Sequence, residues 1–296
     1  MRSSIIIVNE KANWGSGRHK ARQVMAFLDK QGFSSSMLVT QYPGHARELA
    51  ATAAAAQGID TVIVLGGDGT VHEAVNGLLT AGQGHVPCIG IIPAGSSNDF
   101  SKSLGIPQHL AQACRVILRG RVREVDVGRA GPRYFCSASC LGYFAEVAAR
   151  SLEMKRWRGS WRYVIPALGV IREMTEGWEM TVKADGRVFH GVYAVLLVGN
   201  AARFGGLTML PGARPDDGLL DCLLVEMVGK WEALRLIPLL YRQALERHGK
   251  VTRFRTASLA VTVQRPTRLC HDGEMVPGEF RSLDFRVLSR TLRIFC

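Results

Sequence analysis

The sequence predicts an α/β N-terminal domain, a parallel sheet with helices on both faces, followed by a mainly antiparallel β-sandwich second domain. Three observations carry that expectation. Short apolar runs alternate with helical patterns over residues 1–125. After Val122 the texture changes to β-like runs separated by Gly, Asp and Pro turns. No low-complexity linker or internal repeat marks the boundary, so the predicted domains are residues 1–125 and 126–296.

In the first domain, Ile5–Val8 reads as a strand, and Arg18–Leu28 places Ala21, Val24, Phe27 and Leu28 on one helical face. Ser35–Thr40 reads as a second strand, and His45–Gln57 as an alanine-rich helix stopped by Gly58. Thr61–Leu65 is a continuous apolar strand that leads through glycines into a helix bearing Val71, Ala74, Val75, Leu78 and Leu79. Cys88–Ile92 repeats the pattern and leads into a short helix. In the second domain the β-like runs are 133–138, 180–183, 188–198, 219–225, 258–263 and 280–287. Two stretches there look helical, 144–174 (broken near Gly159) and 230–248.

A hydrophobic content of 47% with 21% charged residues provides enough apolar material for real cores. The formal charge of +12 favours anionic partners: nucleic acid, nucleotide or acidic lipid headgroups. No helix-turn-helix, zinc spacing or RNA-recognition signature supports nucleic acid. The run Ile5–Val8 is too short for a signal-peptide core, and no apolar stretch approaches the roughly 20 residues that span a bilayer. The cysteines lack any C-x-x-C pair and read as buried reduced thiols of a cytoplasmic protein.

The strongest chemical signal is TVIVLGGDGTVHEAVNGLL, Thr61 to Leu79. A strand ends at Gly66, and a helix begins near Thr70. Glycines let the backbone approach a phosphate, and a helix N-terminus offers N–H groups and partial positive charge to it. The G-K-[ST] ending of a Walker A loop is missing, and Asp68 inside the loop points to Mg²⁺ held through water or to an oriented hydroxyl. IGIIPAGSSNDFSKSLGIP, Ile89 to Pro107, repeats strand, loop and helix, with Ser96 and Ser97 as donors and Asp99 as a cap or a metal-facing group. The pair Asp272-Gly273 signals a hairpin turn.

These two loops together resemble the catalytic domain of the bacterial diacylglycerol kinase family, which includes sphingosine and ceramide kinases. Val8 to Arg18 resembles its Asn-Pro-x-x-Gly-x-Gly start, with Glu10 in place of the proline; Val125–Gly128, Leu210–Glu226 and Asp272-Gly273-Glu274 resemble its later motifs in the same order. The resemblance implies an NAD-kinase-like first domain. It implies ATP contacts at Asn9, Thr40, Gly66, Gly67, Asp68, Gly69, Thr70, Val71, His72 and Ser96, and an acidic cluster of Asp68, Asp99 and Asp126 that holds Mg²⁺ through water. A separate structural Mg²⁺ site would use Asp217 with the carbonyls of Arg214 and Leu219, and Glu274 would be the general base with Asp272 beside it. The implied activity is transfer of the γ-phosphate of ATP to a lipid hydroxyl, diacylglycerol by default. The alternative is a soluble-substrate kinase of the NAD-kinase type; AGSSNDF stands where such enzymes carry Asn-x-Gly-x-Leu-Gly-Phe, which counts against it.

The segment 150–172 mixes basic residues with Trp157, Trp161 and Tyr163, which suits an anionic membrane surface, while Val164, Leu168 and Ile171 form a core-facing stripe. The expectation is a cytoplasmic enzyme peripheral at the membrane. A homodimer through the second domain stays open.

Overall fold

The computed structural model describes residues 3–10, 17–56, 58–81, 86–154 and 161–296. The middle of the opening motif at 11–16, the predicted helix end at Gln57, and Trp157 and Gly159 lie outside these residues. The chain divides into two compact units, Met1–Val125 with Arg290–Cys296, and Asp126–Ser289.

In the first unit, β1 (Ser3–Val8), β2 (Ser36–Val39), β3 (Ile59–Gly66) and β4 (Cys88–Pro93) pair in the order β2-β1-β3-β4, every pairing parallel. Ile5–Val8, Val62–Leu65 and Ile89–Ile92 are buried on both sides, as strands of a covered parallel sheet must be. Helix α1 (Gly17–Lys30) turns Ala21, Val24 and Leu28 to the core, and α2 (His45–Ala55) turns Ala46, Ala50 and Ala53. Helix α3 (Asp68–Ala81) is buried over most of its length, and a short α4 (Asp99–Ser103) follows β4. Helix α5 (Leu110–Arg119) was not foreseen, although Leu110, Ala113, Cys114 and Ile117 recur at helical spacing; its core face is Ala113, Cys114 and Ile117.

Two strands pass through both units. The strand β5 (Val122–Ala130) leaves the first unit at Val125. The closing residues of the last strand, β15 (Glu274–Phe295), group with the first unit. There Ile294 pairs parallel with Ile89 of β4, and Cys296 N–H donates to Arg121 O at 3.1 Å.

The second unit is antiparallel in every pairing: β6 (Arg133–Phe135) on β5, β7 (Ala138–Gly142) on β9 (Arg187–Gly199) and on β14 (Ser258–His271), and β8 (Trp178–Ala184) on β9 and β14. A short β10–β11 ladder joins Arg203–Phe204 to Leu207–Thr208. The strands β12 (Leu220–Glu226) and β13 (Val251–Thr256) extend the sheet from β9, and β14 pairs with β15. Along β9 and β12 alternate side chains enter two different cores. Leu196, Val198, Cys222 and Leu224 face one that β8, β14 and β15 close with Met180, Val261 and Phe285. Leu197, Leu223 and Val225 face the other, closed by Ala145 and Ala148 of α6 (Tyr143–Glu153). Two more helices, α7 (Trp161–Glu173) and α8 (Lys230–Tyr241), complete the unit. The expected runs 258–263 and 280–287 are shorter than β14 and β15, which continue through Pro266 and Pro277. The register of β14 on β15 shifts between Thr262 and Thr267, and the bulge there accommodates the proline.

Gly77 shows how tightly the first unit is built. A Cβ there would overlap the carbonyl oxygen of Arg47, because α3 packs on α2 backbone to backbone. Glu73 fixes the same contact by accepting N–H bonds from Gly44 (2.9 Å) and Ala46 (3.2 Å), capping α2 from its neighbour. On propensity alone Gly77→Ala should stabilise the helix by about 1 kcal/mol. Overpacking against immovable backbone reverses the sign, and the expected loss is about 1–3 kcal/mol, read from denaturant midpoints.

Candidate active site

Because the first four strands are parallel, the residues that follow them all fall along one edge of the sheet. Asn9 follows β1, Thr40 follows β2, Gly67 follows β3 and Ala94 follows β4. The ladder runs slightly past the strands: Asn9 N–H donates to Leu65 O (3.0 Å), Thr40 N–H to Val8 O (2.8 Å) and Ala94 N–H to Gly66 O (2.8 Å). Such an edge is where open α/β sheets place their ligands.

Two glycine loops meet there. A Cβ on Gly95 would lie 2.5 Å from the Cα of Gly67, and one on Gly67 would lie 3.0 Å from the Cα of Gly95. Only glycine on both sides allows the approach. Asn98 locks the second loop: its Oδ1 accepts from Gly95 N–H (2.9 Å) and its Nδ2 donates to Gly95 O (3.1 Å). Asn98 adopts φ 51°, a left-handed conformation that asparagine tolerates better than most residues. Asp68 then ties the loops together, because its Oδ1 accepts the Phe100 N–H at the start of α4 (3.3 Å). So the aspartate inside the first loop caps the helix of the second.

The start of α3 is also prepared. Val71 N–H donates to Gly67 O (3.1 Å), so the helical ladder begins there, and the N–H groups of Gly69 and Thr70 precede it. Thr70 packs over Gly66, where a Cβ would lie 2.5 Å from the Thr70 Cβ. Asn9 Nδ2 donates to Thr70 Oγ1 (3.1 Å), so the Thr70 hydroxyl keeps its own hydrogen for another acceptor. His72 is buried and turned inward, while Ser96 is exposed at the loop tip and Asp99 is buried at the head of α4. The first unit therefore gathers Asn9, Thr40, Gly66–His72, Ser96 and Asp99 at one edge.

The other predicted residues belong to the second unit. Asp126 is buried; its N–H donates to Pro215 O (2.7 Å) and its Oδ2 accepts from Gly218 N–H (2.7 Å). Its neighbour Gly128 faces Phe135, whose ring fills the place of a Cβ. Asn200 had no signal in the sequence. It is buried, and its Nδ2 bridges Asp126 O and Cys136 O, both at 2.9 Å.

Asp217, implied with Arg214 and Leu219 as a Mg²⁺ site, has these contacts. Its Oδ1 accepts from Leu219 N–H (3.1 Å) and its Oδ2 pairs with the Arg255 guanidinium, while Arg214 reaches Asp216 (3.3 Å). Arg255 also reaches Asp221 at 3.4 Å, and Arg253 meets the same carboxylate at 2.8 Å. The side chains of this segment form an arginine–carboxylate network. Among the described residues, no three His, Cys, Asp or Glu side chains converge on a metal site.

The Asp272-Gly273 pair forms the expected two-residue turn, with φ 53° and 90° and His271 paired to Glu274 across it. Asp272, implied as a catalytic partner, has a different occupation. Its carboxylate accepts N–H bonds from Cys136 (2.8 Å), Ser137 (2.7 Å) and Ala138 (3.1 Å), so it clamps the turn to the loop before β7. Beside it, His271 is buried between Ser139 Oγ (2.9 Å) and Ala130 O (3.1 Å). The carbonyl can only accept, so Nε2 carries the proton and Nδ1 receives the serine hydroxyl. Glu274 emerges from this fixed turn as the first residue of β15.

Thiol chemistry has no place at the site. Cys88, Cys114, Cys136, Cys140, Cys222 and Cys270 are buried. Burial pushes Cys114 up to about 11 and holds Cys140 and Cys222 well above the usual range, far from nucleophilic thiolates.

Comparison with known proteins agrees with this geometry. Residues 3–130 match the diacylglycerol kinase catalytic domain, and residues 137–296 match the YegS C-terminal NAD kinase beta sandwich-like domain. The chain is 31% identical over 266 residues to the diacylglycerol kinase of Staphylococcus carnosus (strain TM300), covering 88% of this chain and 86% of that one. It is 28% identical over 289 residues to the diacylglycerol kinase of Bacillus subtilis (strain 168), covering 96% and 94%. A solved structure of a diacylglycerol kinase from Bacillus anthracis strain Sterne shares the fold, with a TM-score of 0.77 at 23% identity over 99% of this chain and 96% of that one. With matching domains in order and relatives aligned over most of their length, the chain belongs to the diacylglycerol kinase family and is a lipid kinase in the broad sense.

Proposed function

We propose that this chain transfers the γ-phosphate of ATP to the hydroxyl of a membrane lipid, with diacylglycerol as the first acceptor and Mg²⁺ as the required cation. The observation that carries the reading is the pair of glycine loops pressed together between Gly67 and Gly95, directly ahead of the α3 N-terminus. Phosphoryl transfer is mostly positioning and electrostatics, and this edge supplies both. The N–H groups of Gly69 and Thr70 and the Thr70 hydroxyl would hold phosphate oxygens, with Asn9 orienting that hydroxyl. Asp68 and Asp99 are hard oxygen donors of the kind that hold hydrated Mg²⁺. Bound there, Mg²⁺ supplies neutralisation of the charge that develops on the phosphates.

Glu274 is assigned as general base. It takes the proton from the lipid hydroxyl as that oxygen bonds to the γ-phosphorus and the bond to the bridging β–γ oxygen breaks, releasing ADP. Asp272 is assigned as a positioning residue that fixes the turn carrying Glu274. The relatives named as diacylglycerol kinases support a lipid acceptor. Work at the inner face of a membrane follows from that acceptor, and no helix among the described residues is long and apolar enough to cross one.

Labelled ATP offered with diacylglycerol, sphingoid bases and NAD tests the reading; phosphate on NAD and on no lipid would overturn it. Glu274→Gln should lower kcat for lipid phosphorylation by about 10²–10⁴-fold with an unchanged melting temperature. Asp272→Asn should instead lower both stability and kcat, because an amide cannot accept from all three N–H groups; thermal melts beside the kinetics separate the two. Asp68→Asn keeps an acceptor for Phe100 N–H and loses the charge. It should fold normally, lose roughly 10²–10³-fold in kcat and need more Mg²⁺ for half-maximal rate, measured by titration after chelation.

A further inference from the structure

The helix α8 reads KWEALRLIPLLY, largely apolar, yet none of its residues is fully buried. One face does pack, with Leu236, Leu239 and Leu240 against the core that β9 and β12 share with α6. The opposite face carries Trp231, Arg235, Pro238, Tyr241 and Arg242, all exposed and spaced to form one stripe along the helix. Trp231 is 80% exposed and Tyr241 44%. An exposed tryptophan and tyrosine at the two ends of one helical stripe are not needed for folding.

The neighbouring helix α7 repeats the composition. Trp161 is 63% exposed and Leu168 45%, and Arg172 lies on the same side one turn further on. The two helices pack together, and Lys230 Nζ donates to Arg172 O (2.6 Å), joining the start of α8 to the end of α7. The nearby carboxylates are already matched. Glu232 meets Lys250 (3.2 Å) and His248 (3.4 Å), and Glu173 meets Arg150 (2.5 Å). Arg235 and Arg242 pair with no carboxylate among the described residues.

We propose that the outer stripe of α8, together with Trp161 and Leu168 of α7, is the surface by which this protein docks on an anionic lipid bilayer. Aromatic rings between arginines suit the headgroup layer, where the rings enter the acyl boundary and the guanidiniums meet lipid phosphates. A second copy of the chain fits poorly. The exposed stripe of α8 holds arginines and no carboxylate, so a two-fold contact would set like charges against each other. The inference rests on the lipid-hydroxyl reading of the active site and names how the enzyme reaches that substrate.

The test is sedimentation of the full chain with sucrose-loaded vesicles of phosphatidylcholine, with and without phosphatidylglycerol, in the absence of ATP. The parent chain should partition onto the anionic vesicles at low salt and be released as salt rises. R235A/R242A should weaken that partition roughly 30-fold on anionic vesicles and little on neutral ones. W231A/Y241A should weaken it by about tenfold or more on both. Diacylglycerol phosphorylation in detergent micelles and melting temperature should stay at parent values, with R235E/R242E as a second surface variant. Parent-like binding by these variants, no binding by the parent, or a change of molar mass by light scattering overturns the docking surface. Absence of micellar phosphorylation by the parent strikes the kinase reading instead.

Discussion

The backbone contact between Gly67 and Gly95 is the constraint on which the candidate site depends. Strands β3 and β4 are neighbours in a parallel sheet, so the loops that leave them emerge side by side. A side chain at Gly95 would bring a Cβ to 2.5 Å from the Gly67 Cα and force the loops to shift. With no side chain at either glycine, Asn98 folds the second loop back on Gly95, and Asp68 spans the gap to cap α4. The two helix starts are thus oriented by each other. If these loops cradle phosphate as proposed, the cradle is organised by the chain's own contacts, and binding energy is not spent on ordering it.

The second unit is organised by a different device, the satisfaction of buried polar groups. Asp272 absorbs three backbone N–H groups, Asn200 bridges the backbone of Asp126 and Cys136, and His271 is held by a hydroxyl and a carbonyl. Each bond joins segments far apart in sequence, and leaving a buried donor unpaired costs about 1–3 kcal/mol. The turn bearing Glu274 therefore has little freedom, a property that suits the role of general base proposed for it. Its rigidity comes from backbone groups distant in sequence.

This division explains what the sequence disclosed. Local patterns were legible: the alternation of strand and helix, the glycine loops, and the Asp-Gly turn, where φ of 53° and 90° meets the expectation. Pairings at long range were not. Nothing adjacent to Asp272 announces Cys136 to Ala138, and nothing near Asp217 announces Arg255. The return of Arg290–Cys296 to the first unit has the same character, since a strand's partner is not written in its own residues. Asp68 lay between these cases. Its oddity in a phosphate loop was visible, but the helix it caps is a strand and a loop away.

Arg255 sharpens the electrostatic argument. A carboxylate at a tight turn can be satisfied by a divalent cation or by a guanidinium, and the two make different demands. A metal needs several oxygens converging at short range, whereas arginine offers a planar fork of donors to separate carboxylates. Asp217 and Asp221 lie near the same guanidinium, and Arg253 adds a second cation to Asp221. The carboxylates of Asp216, Asp217 and Asp221 are matched by the guanidiniums of Arg214, Arg253 and Arg255, so the charge of this segment is balanced within the chain.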